Sequence, residues 1–269
     1  YDHVQSLGLI SDNLVQPILG SPAPLELVHC DDYINDLWHN RLDEKAMRRI
    51  GLPWSEQLMA RTFTAPLGTL QTARLALKHG LACHLAGGTH HAHYDFGSGY
   101  CMVNDLAFTS ETLIMSGEVT NVLIFDLDVH QGDGTAAMLT HQPYAYTCSI
   151  HCEKNFPFRK SASDLDIGLN PGVSDKEYVG IVDETLSYLL KTLNPDLVLY
   201  DAGVDVWQQD GLGKLDISWQ GIEQRDHLVL KRCLEHNVPV ATVIGGGYDK
   251  DHRRLAARHG IVVEQAAQF

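Results

Sequence analysis

The chain has 269 residues, of which 44% are hydrophobic and 20% are charged, a composition typical of a globular protein that can bury a sizeable core. Its formal net charge of −14 argues against a surface that binds nucleic-acid phosphates and suits a neutral or cationic ligand. No apolar run approaches the roughly 18 residues that span a membrane, and residues 1–13 show no signal-peptide pattern.

The six cysteines show neither a Cys-x-x-Cys pair nor the spacing of a zinc finger. Without a secretory signal, a disulfide framework is not expected. We therefore predict a cytoplasmic protein in which all six are reduced and most are small core residues. They are Cys30, Cys83, Cys101, Cys148, Cys152 and Cys233.

Short apolar runs alternate with amphipathic segments along most of the chain, without repeats or long linkers. Around residues 30–38 the pattern allows a helix, and residues 45–51 resemble the end of another. The apolar runs predict strands at 81–86, 122–127, 145–150, 197–202 and 238–244, and the segments between them predict helices at 69–79, 103–116, 132–141, 175–193, 217–236 and 250–258. Continuous apolar strands separated by helices indicate an α/β fold, a single-domain parallel β-sheet flanked by helices on both faces.

Polar residues gather where the predicted strands end. The sequences GGTHH, DLDVH, SIH, DAGVD and GGGY each stand at the end of one apolar run. In parallel sheets the carboxyl ends of the strands lie at one edge, and ligands bind there. We therefore expect these five segments to form one site.

The segment Asp126-Leu-Asp128-Val-His130 suggests metal binding. If the strand continues through it, residues two apart share one face, so all three side chains point the same way. Asp205, a few residues beyond the apolar run at 197–202, is the best candidate for a further ligand. Two Asp and one His would leave a fourth position open, as in catalytic zinc sites. The alternative is that Asp-x-His only caps the helix that begins near Gly132.

Two adjacent histidines, His90 and His91, follow a pair of glycines that permits irregular backbone. Only on such backbone could both imidazoles act on one substrate, and Asp126 and Asp133 are available to fix their tautomers. The alternative is a solvent-exposed histidine patch. His93, the outer member of the group, is interpreted as a surface residue.

Tyr248 follows three glycines at the end of the last apolar run. The glycines allow the backbone to pass close to a ligand, and the phenol could donate to a developing oxyanion. The segment lacks the pattern of a phosphate-binding loop.

Together these segments resemble the zinc-dependent histone deacetylase family, which has the arginase/deacetylase fold. The resemblance runs from about residue 64 to the C-terminus. The sequence of residues 201–226 is most similar to the class IV branch and its bacterial relatives. The matching stretches are residues 87–105, 122–135, 149–151, 201–215 and 245–248.

The resemblance implies one zinc ion on three ligands, Asp128, His130 and Asp205. It further implies a general base and acid, its electrostatic partner and a donor to the carbonyl oxygen, namely His91 with Asp133, His90 with Asp126, and Tyr248. It also implies a substrate tunnel at Gly99, Tyr100 and Phe156, and a structural potassium ion near Asp126, Asp128, His130, Ser149 and Ile150.

The chain departs from the family pattern in three places. Residues 1–269 are expected to form one deacetylase-like domain that lacks the family's first strand and the start of its first helix. If the protein itself lacks that segment, one sheet edge is expected to be unprotected. Tyr100 stands where the family usually has Phe, and its hydroxyl could change the acyl preference. Before Asp205 the chain reads AGVD where many relatives have GAD.

The expected function is zinc-dependent hydrolysis that removes acetyl or longer acyl groups from lysine side chains of proteins or peptides. One alternative is a deacetylase of acetylated polyamines or other small amides, and another is a non-catalytic module that binds acyl-lysine. An arginase-like enzyme with two manganese ions is disfavoured, because the Asp-Leu-Asp-Val-His segment is of the deacetylase type and does not show the expected ligands for a second metal. No nucleic-acid partner is expected, and the oligomeric state is not readable from the sequence.

Overall fold

The computed structural model, which describes residues 1–11 and 13–269, contains one β-sheet of six parallel strands. In chain order the strands are Leu81–Cys83 (β1), Val122–Asp126 (β2), Ala145–Cys152 (β3), Leu165–Leu169 (β4), Leu197–Asp201 (β5) and Val240–Val243 (β6). Their order across the sheet is β1-β6-β5-β2-β3-β4. The predicted α/β class with a parallel sheet is confirmed.

Helices cover both faces of this sheet. They are Asp2–Ser6 (α1), Asp31–Trp38 (α2), Glu44–Ile50 (α3), Glu56–His79 (α4), Asp105–Met115 (α5), Asp133–Leu139 (α6), Asp175–Leu193 (α7), Trp219–Glu235 (α8) and His252–Ala266 (α9), with a short 3-10 helix at Ala23–Leu27. In the described part of the chain, none of them combines the length and the apolar character needed to cross a membrane.

The central strand β2 contributes to two separate cores. Leu123 and Phe125 pack with α7, α8 and α9, whereas Val122 and Ile124 pack with α2, α4 and α5 on the other face. Successive side chains of a strand point to opposite faces, so a strand covered on both sides is apolar along its whole length. This explains why the strand appeared in the sequence as a continuous apolar run.

Several predicted boundaries were wrong. Strand β4, Leu165–Leu169, was missed because it lies at the edge of the sheet, where exposed and half-buried residues alternate. Helix α4 begins at Glu56 instead of residue 69, although Pro66 lies inside it. Helix α9 continues to Ala266 instead of ending at residue 258, and β1 ends at Cys83 instead of residue 86.

The opposite edge of the sheet is β1, and no strand of the described part of the chain pairs with its outer side. A cavity of about 940 Å³ lies beside this edge, between β1, α4, α9 and the N-terminal segment. All six cysteines are free, as predicted, and four of them are buried.

A buried arginine on α8 holds the chain just beyond β5. The Arg225 guanidinium donates to the carbonyl oxygens of Gly203 (2.7 Å) and Ala202 (3.3 Å), and its Nε donates to Asp226 Oδ1 (2.8 Å). The Arg225 and Asp226 side chains are both fully buried. The loop that leads from β5 to Asp205 is thereby fixed to a helix.

We expect Arg225→Ala to lower the free energy of unfolding by about 3–5 kcal/mol, because it leaves the Asp226 carboxylate buried without its partner. Urea denaturation followed by circular dichroism measures the change. Arg232→Ala is the matched control on the same helix. Its ion pair with Asp183 is about one third exposed (32% and 34%), so the expected loss is below about 1 kcal/mol. Equal losses in the two variants would contradict this account.

His29 is a buried imidazole that joins distant segments. Its Nε2 accepts from the backbone N–H of Asn104 (2.9 Å), so its Nδ1 carries the proton and donates to the carbonyl oxygen of His93 (2.9 Å). If Nε2 were protonated as well, its N–H would face the backbone N–H of Asn104, and the hydrogen bond between them would be lost. Burial accordingly lowers the pKa of His29 from 6.5 to about 4.

Because His29 takes up a proton more readily in the unfolded chain, its contribution to stability is complete above pH 6.5 and is lost as the pH falls towards 4. The loss should reach about 3 kcal/mol. We expect His29→Gln to reduce the difference between the urea midpoints at pH 7 and pH 4 by a corresponding amount. The exposed His39, replaced in the same way, should leave that difference unchanged. An unaltered pH dependence in His29→Gln would contradict this prediction.

Candidate active site and metal centre

The candidate site lies at the carboxyl ends of β2 and β5, which are neighbours at the centre of the sheet. From β2 the chain continues to β3 on one side, and from β5 it continues to β6 on the other. The loops that leave the two strands therefore diverge and open a crevice between them. Residues 127–132 and 202–218 form these loops.

Asp128, His130 and Asp205 come together in this crevice. Nδ1 of His130 lies 3.0 Å from Asp128 Oδ1 and 3.1 Å from Asp205 Oδ2. The strand itself ends at Asp126, so the prediction that residues 126, 128 and 130 share one strand face was wrong. The irregular backbone after the strand separates Asp126 from the other two and directs it towards His90.

The chemistry of this group suits a divalent cation. The carboxylates of Asp128 and Asp205 are at most 1% exposed, and burial together with Asp128 raises the pKa of Asp205 to about 7. Backbone N–H groups of Gly246 (2.7 Å) and Val129 (2.9 Å) donate to the carboxylate oxygens that face away from His130. The remaining oxygens and the imidazole are ligands that zinc accepts, and they leave a position open.

Gly246 shows how closely the glycine segment approaches this group. A Cβ at that position would lie 2.3 Å from Asp205 Oδ2 and 2.5 Å from Asp128 Oδ2. Any side chain would therefore displace the carboxylates. This close approach explains why the middle residue of GGGY is a glycine.

His90 and His91 each bind a carboxylate through Nδ1. The distances are 2.7 Å from His90 to Asp126 Oδ2 and 2.6 Å from His91 to Asp133 Oδ1. Both imidazoles are buried, with ring centroids 4.2 Å apart, and the His91 ring lies 5.8 Å from that of His130. The structure thus places the two predicted pairs beside the candidate metal ligands, with Nε2 of each histidine free of these carboxylate bonds.

The pKa values of the two histidines are shifted in opposite directions. Burial and the neighbouring His90 lower the pKa of His91 to about 4, against the opposing effect of Asp133. Burial also disfavours the charged form of His90, but the carboxylates of Asp126 and Asp128 outweigh it and raise the pKa of His90 well above its usual range. A cation on Asp128 would weaken that attraction. His91 is therefore the neutral partner, able to accept a proton.

His93 is not the surface residue that the sequence suggested. Its side chain is 17% exposed, and its Nε2 lies 3.2 Å from Asp133 Oδ2. The carboxylate that holds His91 thus contacts a second imidazole. The sequence His-His-Ala-His shows a third histidine near the pair, but its spacing does not indicate that the His93 side chain is directed towards Asp133.

Asp201, the last residue of β5, was also missed. It is fully buried, and neither of its carboxylate oxygens has a hydrogen-bond partner among the residues that the structure describes. With His90 and Asp126 it forms a second group whose spacing could admit a cation. However, the 2.7 Å between His90 and Asp126 is already explained as a hydrogen bond. Of the segment DAGVD, the sequence analysis had used only Asp205.

Tyr248 stands at the mouth of the crevice. Its ring meets that of His130 edge to face, with centroids 6.5 Å apart, and lies 5.7 Å from the ring of Tyr100. Its backbone N–H donates to Asp210 Oδ2 (2.7 Å). Burial and the nearby Asp205 raise the pKa of Tyr248 well above its usual value, so the hydroxyl keeps its proton at neutral pH and can donate.

Two of the three predicted tunnel residues lie against His91, and the third lies beside Tyr248. The Phe156 ring packs against the His91 ring nearly at a right angle, with centroids 4.9 Å apart. Gly99 has a φ of 51°, and a Cβ there would come within 2.6 Å of the His91 ring. Tyr100 is 45% exposed and forms the outer wall beside Tyr248. A tunnel formed by these three residues stays a prediction.

The residues of the predicted potassium site share one end of the sheet. Asp126 of β2 is in register with Ser149 of β3, and Ile150 follows it. The Ser149 hydroxyl contacts Nδ1 of His151 at 3.0 Å. A potassium ion at this place stays a prediction.

Comparison with known proteins extends the likeness to residues before 64. The histone deacetylase domain family matches residues 1–263. An uncharacterized protein of Picosynechococcus sp. is 50% identical over 251 residues, 93% of this chain and 84% of that protein. Histone deacetylase 2 of Arabidopsis thaliana is 30% identical over 261 residues, 91% of this chain and 65% of the plant protein.

A third relative is the acetoin utilization protein AcuC of Staphylococcus aureus, 28% identical over 264 residues, which cover 90% of this chain and 68% of that protein. The family match spans nearly the whole chain and includes every residue of the site described above. The resemblance drawn from the five sequence segments is thereby confirmed. The chain belongs to the histone deacetylase domain family.

Proposed function

We propose that this protein is a zinc-dependent hydrolase that removes acetyl or longer acyl groups from lysine side chains of proteins or peptides. The observation that carries the proposal is the meeting of a three-ligand group with two histidine–carboxylate pairs at the end of one lined crevice. The membership of the deacetylase family supports the reaction class. The identity of the acyl group and of its carrier rests on the resemblance alone.

Asp128, His130 and Asp205 would hold the zinc ion. When bound, zinc polarises the acyl carbonyl and lowers the pKa of a water ligand from about 15.7 towards 7. The side chains of the three ligands are at most 9% exposed, and electrostatic contacts are stronger in such a poorly solvated environment. Asn155 lies beside this group: its Nδ2 is 3.3 Å from Nε2 of His130 and donates to the carbonyl oxygen of Leu212 (2.8 Å).

His91 performs the proton transfers. Its lowered pKa leaves it neutral at physiological pH, so it takes the proton of the attacking water while Asp133 stabilises the resulting charge. It then returns the proton to the leaving amine of lysine. His90 stays paired with Asp126 and supplies a favourable electrostatic environment for the developing negative charge.

Tyr248 completes the site as a hydrogen-bond donor. Its hydroxyl stays protonated and donates to the carbonyl oxygen as negative charge develops there. Phe156 lies against His91 and Tyr100 lies beside Tyr248, and these aromatic rings suit the apolar, unbranched chain of an acylated lysine. An acetylated polyamine carries the same kind of chain, so substrate preference must be measured.

The metal prediction is one zinc ion for each chain. We expect Asp128→Ala and Asp205→Ala to lose it, because each removes one of three ligands. Mass spectrometry of the metal content after dialysis, with circular dichroism as a check of folding, measures the outcome. Asp201→Asn is the matched control, since it alters a buried aspartate four residues before Asp205. Loss of zinc in that variant alone would place the ion on the second group instead.

The activity prediction concerns zinc-loaded protein with acetyl-lysine and myristoyl-lysine peptides and an acetylated polyamine. We expect hydrolysis of at least one peptide, no turnover in His91→Ala, and a decrease of kcat by about 10²–10³ in Tyr248→Phe, which loses one oxyanion donor. Tyr188→Phe, on the exposed side of α7, should retain full activity.

Each other outcome leads to a different conclusion. Hydrolysis of the polyamine alone would replace the protein substrate with a small amide. Binding of the peptides without turnover, in folded and zinc-loaded protein, would favour a non-catalytic acyl-lysine module. Near-normal turnover in Tyr248→Phe would remove Tyr248 from its assigned role.

A further inference from the structure

Asp133 binds two imidazoles, one on each oxygen of its carboxylate. Oδ1 lies 2.6 Å from Nδ1 of His91, and Oδ2 lies 3.2 Å from Nε2 of His93. The mechanism proposed above uses only the first of these contacts. Asp133 is the first residue of α6, so its backbone is fixed by the helix and its side-chain rotation alone remains free.

The ring of His93 is itself held firmly. It stacks on Phe96 with ring centroids 4.3 Å apart and planes 19° from parallel, and the Arg49 guanidinium lies 4.5 Å from the centroid of the same Phe96 ring. The backbone N–H of His93 donates to the carbonyl oxygen of Phe96 (2.9 Å), and its own carbonyl oxygen accepts from His29. Position and orientation of this imidazole are thus set independently of Asp133.

We infer that His93 is a positioning residue of this active site, and this inference rests on the proposed function. A carboxylate held at one oxygen can rotate about its Cβ–Cγ bond and carry its partner with it. With Oδ2 bound to His93, the plane of the Asp133 carboxylate is fixed, and the direction of its bond to His91 is fixed too. His93 therefore acts on the reaction through Asp133.

The surroundings of His93 do not suit a metal ligand. In the described part of the chain, the groups of three or more side chains that could hold a metal do not include it. Its contact on the ring edge is Asp133, and its ring face is covered by Phe96. An orienting contact with one carboxylate accounts for these neighbours.

Two replacements separate the hydrogen bond from the packing. His93→Phe keeps an aromatic ring against Phe96 but has no donor, and His93→Gln keeps an N–H donor at a similar reach. We expect kcat for the acyl-lysine peptide to fall about tenfold or more in the Phe variant, with KM within about twofold, and to recover most of its value in the Gln variant. His227→Phe, which alters a histidine stacked on Phe269 away from the site, should change nothing.

A double-mutant cycle with Asp133→Asn tests whether the effect passes through Asp133. If it does, adding His93→Phe to that variant should produce little further loss. Zinc content and the unfolding midpoint should match those of the parent proteins. A full additional loss, a loss of zinc, or unchanged kcat in His93→Phe would each overturn the inference.

A proton NMR measurement does not require turnover and therefore tests the role of His93 separately from the proposed function. The hydrogen-bonded Nδ1 proton of His91 should give a downfield proton resonance in the wild type. We expect it to shift or broaden in His93→Phe and to return in His93→Gln. If no acyl substrate is hydrolysed, the proposed function fails, and an unshifted resonance in His93→Phe would separately show that His93 does not position Asp133.

Discussion

The site depends on the concentration of buried negative charge at the ends of β2 and β5. Asp126 and Asp201 are in register on the two strands, and Asp128 and Asp205 follow within four residues. Buried carboxylates are costly unless charges or hydrogen bonds compensate them. Imidazoles approach one side of this cluster and backbone N–H groups the other. The fold thus creates a strong local preference for positive charge, and the proposed zinc ion would satisfy it.

The same carboxylates restrict the surrounding backbone. A Cβ at Gly88 would lie 2.7 Å from Asp201 Oδ2, and one at Gly245 would lie 2.1 Å from Asp201 Oδ1. Both glycines also have positive φ, 82° and 57° respectively. Glycine is required there for close approach and for backbone conformation together. The glycines in GGTHH and GGGY are therefore explained by their short distance to the Asp201 carboxylate more than by loop flexibility.

The sequence was most informative where periodicity and strand ends coincide. Buried strands such as β2 are apolar along their length, and polar residues beyond them must lie at one edge of a parallel sheet, which placed Asp128 and Asp205 in one site. Edge strand β4 lacked that signal because it alternates. The contact of His93 with Asp133 and the burial of Asp201 depend on side-chain directions in loops and between neighbouring strands, which spacing along one chain does not encode.

The guanidinium of Arg225 connects the candidate metal site to the stability of the folded domain. It binds the carbonyl oxygens of Ala202 and Gly203, two to three residues before Asp205, from inside the helical layer. A ligand that binds only the folded state stabilises it by about 1.4 kcal/mol for each tenfold excess over its dissociation constant. If the proposed ion binds there, its occupancy and folding would be thermodynamically linked, and the concentration of free ion would become one of the variables that set the free energy of unfolding.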